Sequence, residues 1–315
     1  HDSDAFNRWE AAQTLMLRDL SNLIAQSRTG QTLRPSPQLI EALGKAIVDP
    51  SLDLNLKAKL MDLPSHSYLS QIEPIFHAEH FGAASQAWSF AFAQKHQALL
   101  REIYERYHGK HDASLHHEHM AERRFKNKAL SYLSLLKENE DLVWTQAETA
   151  AHMTDFETAV LLCLDLRSDR RDQASLEFLN RFQNDTLTMN KWFALLASSE
   201  HPETGAAVEL LWKHPLFNAK NPNRVYSLLG RWGDNLTLFH AGEGAHYKWL
   251  ADRVLELDRI NPQVATRIAG AFDLCSKTPE PNRQKARLAL DSILGQGLSK
   301  NCFEVVSRSR ASLDA

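Results

Sequence analysis

The chain has 315 residues, of which 43% are hydrophobic and 24% charged, and its net charge is -3. This length can bury a sizeable core, and the charge balance gives no sign of the basic patch that nucleic-acid binding requires. No apolar run approaches the ~18 residues of a membrane-spanning helix. We therefore expect a globular protein that has neither nucleic acid nor a membrane among its partners.

The first residues and the cysteines indicate the cellular setting. Residues 1–4 contain no initiator methionine, and neither a basic region nor an apolar segment follows them. That is not the pattern of a signal peptide, and we expect a piece of a longer protein. Cys163, Cys275 and Cys302 are odd in number and far apart, which predicts reduced thiols in a cytoplasmic protein rather than disulfide bonds or a metal site.

Apolar residues recur every three or four positions along most of the chain, which is the period of an α-helix that buries one face. In the first helix this period is set by Trp9, Ala12, Met16 and Leu20. No alternating β-branched run is bounded by hairpin turns, so we expect almost no strands. In chain order the predicted helices cover residues 4–27, 36–49, 54–63, 68–80, 83–108, 114–137, 143–152, 155–166, 171–182, 188–197, 204–213, 221–232, 243–258, 261–272, 279–295 and 299–313. No low-complexity linker divides them, which predicts one helical domain over residues 1–315.

One short pattern occurs twice, forty residues apart, at 221–232 and 261–272. In each copy an Asn-Pro pair opens an apolar helix, because Asn is a good N-cap and Pro fits the first helical position. A glycine follows, Gly230 or Gly270, where we expect close packing or the end of the helix. Two-helix HEAT-like units repeat every 40–47 residues or so. We therefore predict an all-α fold, a right-handed superhelix of antiparallel helix pairs of the HEAT or armadillo type.

The histidines near residue 110 are the strongest candidates for a metal site, and their spacing argues against one. They are His108, His111, His116, His117 and His119. A zinc-protease helix needs His-Glu-x-x-His, because two histidines four positions apart then face one metal ion. The required second histidine is missing after Glu118. Nucleophile elbows and phosphate-binding glycine loops are also absent, so we assign no catalytic residue, metal ligand or cofactor to this chain.

The second Asn-Pro helix is the best candidate for a contact surface. Gln263 and Arg267 are four residues apart and so share one helix face near an N-terminus that favours negative charge. A carboxylate suits that combination, because arginine binds it through two parallel hydrogen bonds. The alternative is that Gln263 caps its own helix while Arg267 pairs with an acidic neighbour of the scaffold, such as Asp258. Arg224, in the first turn of the other copy, has the same two interpretations.

Seven short blocks occur in one order along nearly the whole chain, at residues 2–11, 152–155, 189–193, 214–217, 221–225, 239–241 and 261–267. Together they resemble the C-terminal domain of bacterial aminopeptidase N, a family of zinc-dependent gluzincin aminopeptidases, and the blocks in register are much more specific than any single one. Asn190 stands where the family often has Asp. The resemblance implies an all-helical C-terminal superhelix that follows the zinc-binding catalytic domain. It therefore implies zinc in the parent enzyme, none in this chain, and no peptide hydrolysis by this chain alone.

The resemblance also implies a role and partners. The domain would close over the catalytic domain of the same polypeptide and restrict entry to short or unfolded peptides. Gln263 and Arg267 would then approach the peptide substrate beyond the scissile bond, and Arg224 would match a second arginine of that lining. The other hypothesis is an independent helical-repeat scaffold that binds a protein partner in a concave face.

Overall fold

The computed structural model describes residues 4–110 and 114–314, and within those ranges the chain is helical with no strand. The all-α prediction is confirmed. In the first half the helices are α1 (Ala5–Arg28), α2 (Pro37–Val48), α3 (Leu54–Leu60), α4 (His66–Ile72), α5 (Ala78–Lys95), α6 (Gln97–Tyr107), α7 (His117–Leu133), a 3-10 turn (Lys137–Asn139), α8 (Glu140–Thr149) and α9 (Met153–Asp165).

The second half contains the two Asn-Pro copies, and a π-helix and a 3-10 helix interrupt its α-helices. The elements are α10 (Arg170–Phe182), α11 (Thr188–Ser198), α12 (Thr204–Leu211), α13 (Pro222–Val225), the π-helix (Tyr226–Gly230), α14 (Arg231–Asp234), α15 (Leu236–Phe239), α16 (Tyr247–Asp258), α17 (Pro262–Ala269), the 3-10 helix (Gly270–Lys277), α18 (Glu280–Leu294) and α19 (Lys300–Ala311). No helix among the described residues is long and apolar enough to span a membrane.

The chain divides into two compact units. The first contains the described residues up to Leu69 together with His80–Leu166, and the second contains Ser70–Glu79 together with the described residues from Arg167 onward. Each unit has its own buried core. That the whole chain acts as one domain stays a prediction.

The core of the first unit combines aromatic packing with a buried ion pair. Trp88 stacks on Phe92 with ring centroids 5.5 Å apart, and both are almost fully buried. Lys126 Nζ lies 2.6 Å from Asp155 Oδ2, and Asn127 donates a 2.8 Å hydrogen bond to the other carboxylate oxygen. Because buried charges are tolerated only when they are paired and hydrogen-bonded, this cluster fixes α7 against α9.

The core of the second unit is aromatic, and the segment Ser70–Glu79, here called the strap, belongs to it. Phe76 of the strap is fully buried, and its amide donates a 2.7 Å hydrogen bond to the carbonyl oxygen of Lys277. In return, Lys277 Nζ donates to the carbonyl oxygen of Ser70 at 2.7 Å. The large buried rings of this core include Phe193, Trp232, Phe239, Tyr247 and Phe272.

Two helices predicted in the first 110 residues are interrupted. The helix predicted over 68–80 is wrong, because α4 ends at Ile72 and α5 begins at Ala78, with Pro74 between them. The helix predicted over 83–108 is broken at His96, which has non-helical backbone angles. The His96 ring packs against Gly44, and its Nε2 lies 2.9 Å from the carbonyl oxygen of Ile40. A tertiary contact therefore sets this boundary.

Backbone angles decide two further predictions in the second unit. Of the two roles predicted for Gly230, ending the helix is excluded, because the chain continues through this residue into α14 with a helical φ of -63°. The helix predicted from residue 243 begins only at Tyr247, since Gly242, Glu243 and Gly244 have φ values of 56°, 57° and 76°. That left-handed region is incompatible with a right-handed helix.

Candidate functional site

The second Asn-Pro helix is capped as its sequence predicts. Asn261 Oδ1 accepts hydrogen bonds from the amides of Gln263 and Val264 at 3.1 and 3.3 Å, and Pro262 takes the first helical position. The buried face consists of Val264, Ala265, Ile268 and Ala269. Gln263 and Arg267 lie on the opposite face and are both exposed.

Neither scaffold role considered for these two side chains is found. Asp258 accepts hydrogen bonds from the amide and the hydroxyl of Ser299, both at 2.6 Å, and so pairs with the start of α19 rather than with Arg267. Asn261, not the side chain of Gln263, caps α17. Within the described residues Arg267 forms no ion pair. The face therefore presents an unneutralised guanidinium four residues after an amide side chain.

The structure brings the two Asn-Pro copies together at this face. The first copy begins as α13 and becomes the π-helix at Tyr226. The Cζ atom of Arg267 lies 4.8 Å from the centroid of the Tyr226 ring, within the ~6 Å range of a cation–π interaction. Tyr226 was not identified from the sequence, because the pattern says nothing about which side chains of one copy meet the other.

Arg224 lies in a different environment from Arg267. Only 4% of it is exposed, and its guanidinium donates to the carbonyl oxygens of Leu216 and Thr186 at 3.1 and 3.0 Å. Its Cζ atom lies 4.8 Å from the ring centroid of Phe193. Burial lowers the pKa of Arg224, because desolvation disfavours the charged form. These contacts give Arg224 a structural role in connecting two loops, and its contact with substrate stays a prediction.

The described histidines near residue 110 do not form a zinc site. His119 Nδ1 lies 2.7 Å from Ser114 Oγ, and His116 Nδ1 lies 3.9 Å from a Glu118 carboxylate oxygen. His111 lies outside the described residues. Across the residues that the structure describes, no three His, Cys, Asp or Glu side chains converge as a metal site would require. The donor set of the described residues therefore does not fit zinc.

Cys163, Cys275 and Cys302 are buried and form no disulfide bond with one another. Burial raises the pKa of Cys275 and of Cys302 to about 12, since removal from water disfavours the thiolate. A thiol needs its thiolate form to act as a nucleophile. These two side chains therefore pack as small hydrophobic groups.

Comparison with known proteins gives consistent matches over nearly the whole chain. Residues 1–311 match a family model described as "Domain of unknown function (DUF3458_C) ARM repeats", in agreement with the predicted armadillo-like array. Aminopeptidase N of Escherichia coli (strain K12) is 28% identical over 99% of this chain and 36% of its own length. Aminopeptidase N of Haemophilus influenzae is 29% identical over 96% of this chain and 35% of its own length.

A solved structure with the same fold extends this comparison. It is the crystal structure of Legionella pneumophila aminopeptidase A in complex with aspartic acid. The TM-score is 0.86 with 25% sequence identity, over 98% of this chain and 37% of that one. The chain thus spans 35% to 36% of the length of these curated relatives.

Proposed function

Because the chain belongs to the DUF3458_C family of ARM-repeat domains and corresponds to the C-terminal domain of an aminopeptidase N, we propose that it closes over a catalytic domain of the same polypeptide. In that position it limits access to short or unfolded peptides. The parent enzyme would be a zinc metallopeptidase that releases N-terminal amino acids. The zinc ligands would belong to the catalytic domain, since the described donor set of this chain does not fit zinc.

The observation that carries this proposal is the exposed pair Gln263 and Arg267. An exposed arginine on a helix is usually solvated or paired with a nearby acid, whereas Arg267 rests on a tyrosine ring and has no carboxylate partner among the described residues. Its N–H groups fit a carboxylate of a peptide. Gln263, one turn earlier on the same face, would donate to a peptide carbonyl group. Arg224 would support this lining from the protein interior.

We further propose a cytoplasmic location for the parent enzyme. Three buried cysteines that form no disulfide bond with one another are typical of a protein that folds under reducing conditions.

The test is Arg267→Ala in the intact parent enzyme. We expect KM to rise about tenfold for tripeptides and tetrapeptides, because a hydrogen bond to a charged group contributes about 1.5–3 kcal/mol. KM for single-residue amides should change little, since they do not extend beyond the scissile bond. Arg231→Ala is the matched control. Arg231 is an exposed arginine of the same unit, and its Nη1 atom lies 3.9 Å from Oδ2 of Asp234.

Two results would contradict the proposal. An equal effect of Arg267→Ala on peptides and single-residue amides would exclude a contact beyond the scissile bond. An upstream reading frame without a His-Glu-x-x-His segment would favour the independent scaffold instead. This purified chain alone should not hydrolyse an alanine-nitroanilide substrate.

A further inference from the structure

Tyr226 holds Arg267 in a way that leaves the arginine available for binding. A guanidinium stacked on an aromatic ring uses its planar face, whereas its five N–H donors lie in the plane and point outward. The 4.8 Å separation between Arg267 Cζ and the Tyr226 ring centroid lies within the ~6 Å range of a cation–π interaction. The Tyr226 ring thus covers one side of the guanidinium, and no described residue forms a hydrogen bond or an ion pair with its N–H groups.

The backbone at Tyr226 is π-helical and is held by buried neighbouring residues. Tyr226 opens the π-helix, and the amide of Arg231 donates to its carbonyl oxygen five residues earlier in the chain. π-Helical turns are rare and occur frequently at functional sites. The buried residues Leu228 and Leu229 fix this turn in the core of the second unit. A half-buried ring on such a turn provides a rigid platform for Arg267.

We propose that Tyr226 is a positioning residue that orients Arg267 for bidentate binding of a carboxylate on the peptide substrate. This inference rests on the proposed function. A free, exposed arginine would lose rotamer freedom on binding, and a stacked one has lost part of that freedom already. The ligand chemistry is a carboxylate, from either the peptide C-terminus or an acidic side chain.

The experiment compares Tyr226→Leu and Tyr226→Met, which remove the ring, with Tyr226→Phe, which keeps it. Each variant is made in the intact parent enzyme beside Arg267→Ala, and thermal unfolding confirms that it folds. Three tetrapeptides are the probes: one with a free C-terminus, one with a C-terminal amide, and one that has this amide and a glutamate side chain. They separate the two sources of the carboxylate.

We expect both ring-removing variants to raise KM about fivefold, with kcat unchanged. The peptide affected should be the carboxylate-bearing one whose KM is also raised by Arg267→Ala. The amide peptide without glutamate should be unaffected. Tyr226→Phe should behave as wild type, because the cation rests on the ring face and no described residue forms a hydrogen bond with the hydroxyl. A merely structural role for Tyr226 would instead change all three peptides equally.

The outcomes separate this inference from the function on which it rests. If Arg267→Ala raises KM for a carboxylate peptide and both ring-removing variants leave it unchanged, the positioning role of Tyr226 is wrong and the proposed function stands. The positioning role is also wrong if Tyr226→Phe is as impaired as Tyr226→Leu. If Arg267→Ala itself leaves every KM unchanged, the proposed substrate contact fails, and the inference fails with it.

Discussion

Gly233, the residue that follows the first Asn-Pro copy, packs directly on Ala271 of the second copy, and a Cβ atom added to Gly233 would lie 2.9 Å from the Cβ of Ala271. Neither side can yield by rotating a side chain, so Gly233→Ala forces a backbone shift. Overpacking of this kind costs about 1–3 kcal/mol, partly offset by a better helix propensity. We expect a net loss of about 1–2 kcal/mol in the free energy of unfolding, measured by urea denaturation.

Gly230 provides the control for this prediction. A Cβ there would meet only Tyr226 Cβ at 3.8 Å, an ordinary contact, and its φ of -63° suits alanine. Gly230→Ala should therefore be neutral or stabilising by up to about 1 kcal/mol. Equal destabilisation by both variants would mean that close packing at Gly233 is not the cause.

Lys277→Met tests how the strap is held. It removes the Nζ hydrogen bond to the carbonyl oxygen of Ser70 and leaves that oxygen without its charged donor. We expect the free energy of unfolding to fall by about 1–2 kcal/mol and amide hydrogen exchange in the strap to become faster. The control is Lys285→Met, which removes an exposed ion pair with Glu243 at 3.3 Å and should cost less than about 1 kcal/mol. Unchanged exchange in the strap would contradict the role of Lys277.

His240 should make stability depend on pH. Complete burial lowers its pKa to about 3, whereas an unfolded histidine titrates near 6.5. Between these values the unfolded chain binds a proton that the folded chain does not. The free energy of unfolding therefore falls as the pH falls from about 6.5 towards 3, by up to about 1.4 kcal/mol per pH unit from this group.

Two variants separate this titration from the hydrogen bond that His240 Nδ1 shares with the Tyr247 hydroxyl. His240→Gln removes the imidazole, so the slope of stability against pH between 5 and 6 should decrease by about one proton. Tyr247→Phe removes the same hydrogen bond and keeps the imidazole, so it should lower stability without removing the slope. Urea denaturation at several pH values measures both. An unchanged slope in His240→Gln would mean that other groups dominate this window.

Removing the lysine of the buried ion pair Lys126–Asp155 should lower the free energy of unfolding more than removing the lysine of an exposed pair. The two side chains are only 1% and 4% exposed, and Lys126→Met leaves the carboxylate without its cation. We expect the free energy of unfolding, measured by urea denaturation, to fall by about 3–5 kcal/mol and to be partly restored by adding Asp155→Leu. Lys128→Met removes a pair with Asp62 of the same 2.6 Å length that is 31% and 40% exposed, and it should cost less than about 1 kcal/mol. Similar losses from both lysines would contradict this account.

The sequence by itself determined the local features of this protein. Asn261 and Asn221 with their following prolines marked two helix starts, and both asparagines cap as predicted. The periodic apolar residues predicted the all-α fold, and the ordered blocks identified the family. The predictions of caps and helix faces succeed because a cap or a buried helix face depends on residues within about four positions of one another.

The tertiary structure alone decided which distant groups meet. It placed Arg267 on Tyr226, buried Arg224 against two backbone carbonyl groups, and packed Gly233 against Ala271. No local pattern encodes such contacts, because their partners lie between 8 and 41 positions apart. A helix face can be predicted from its own residues, but the partner it meets depends on how the whole unit packs.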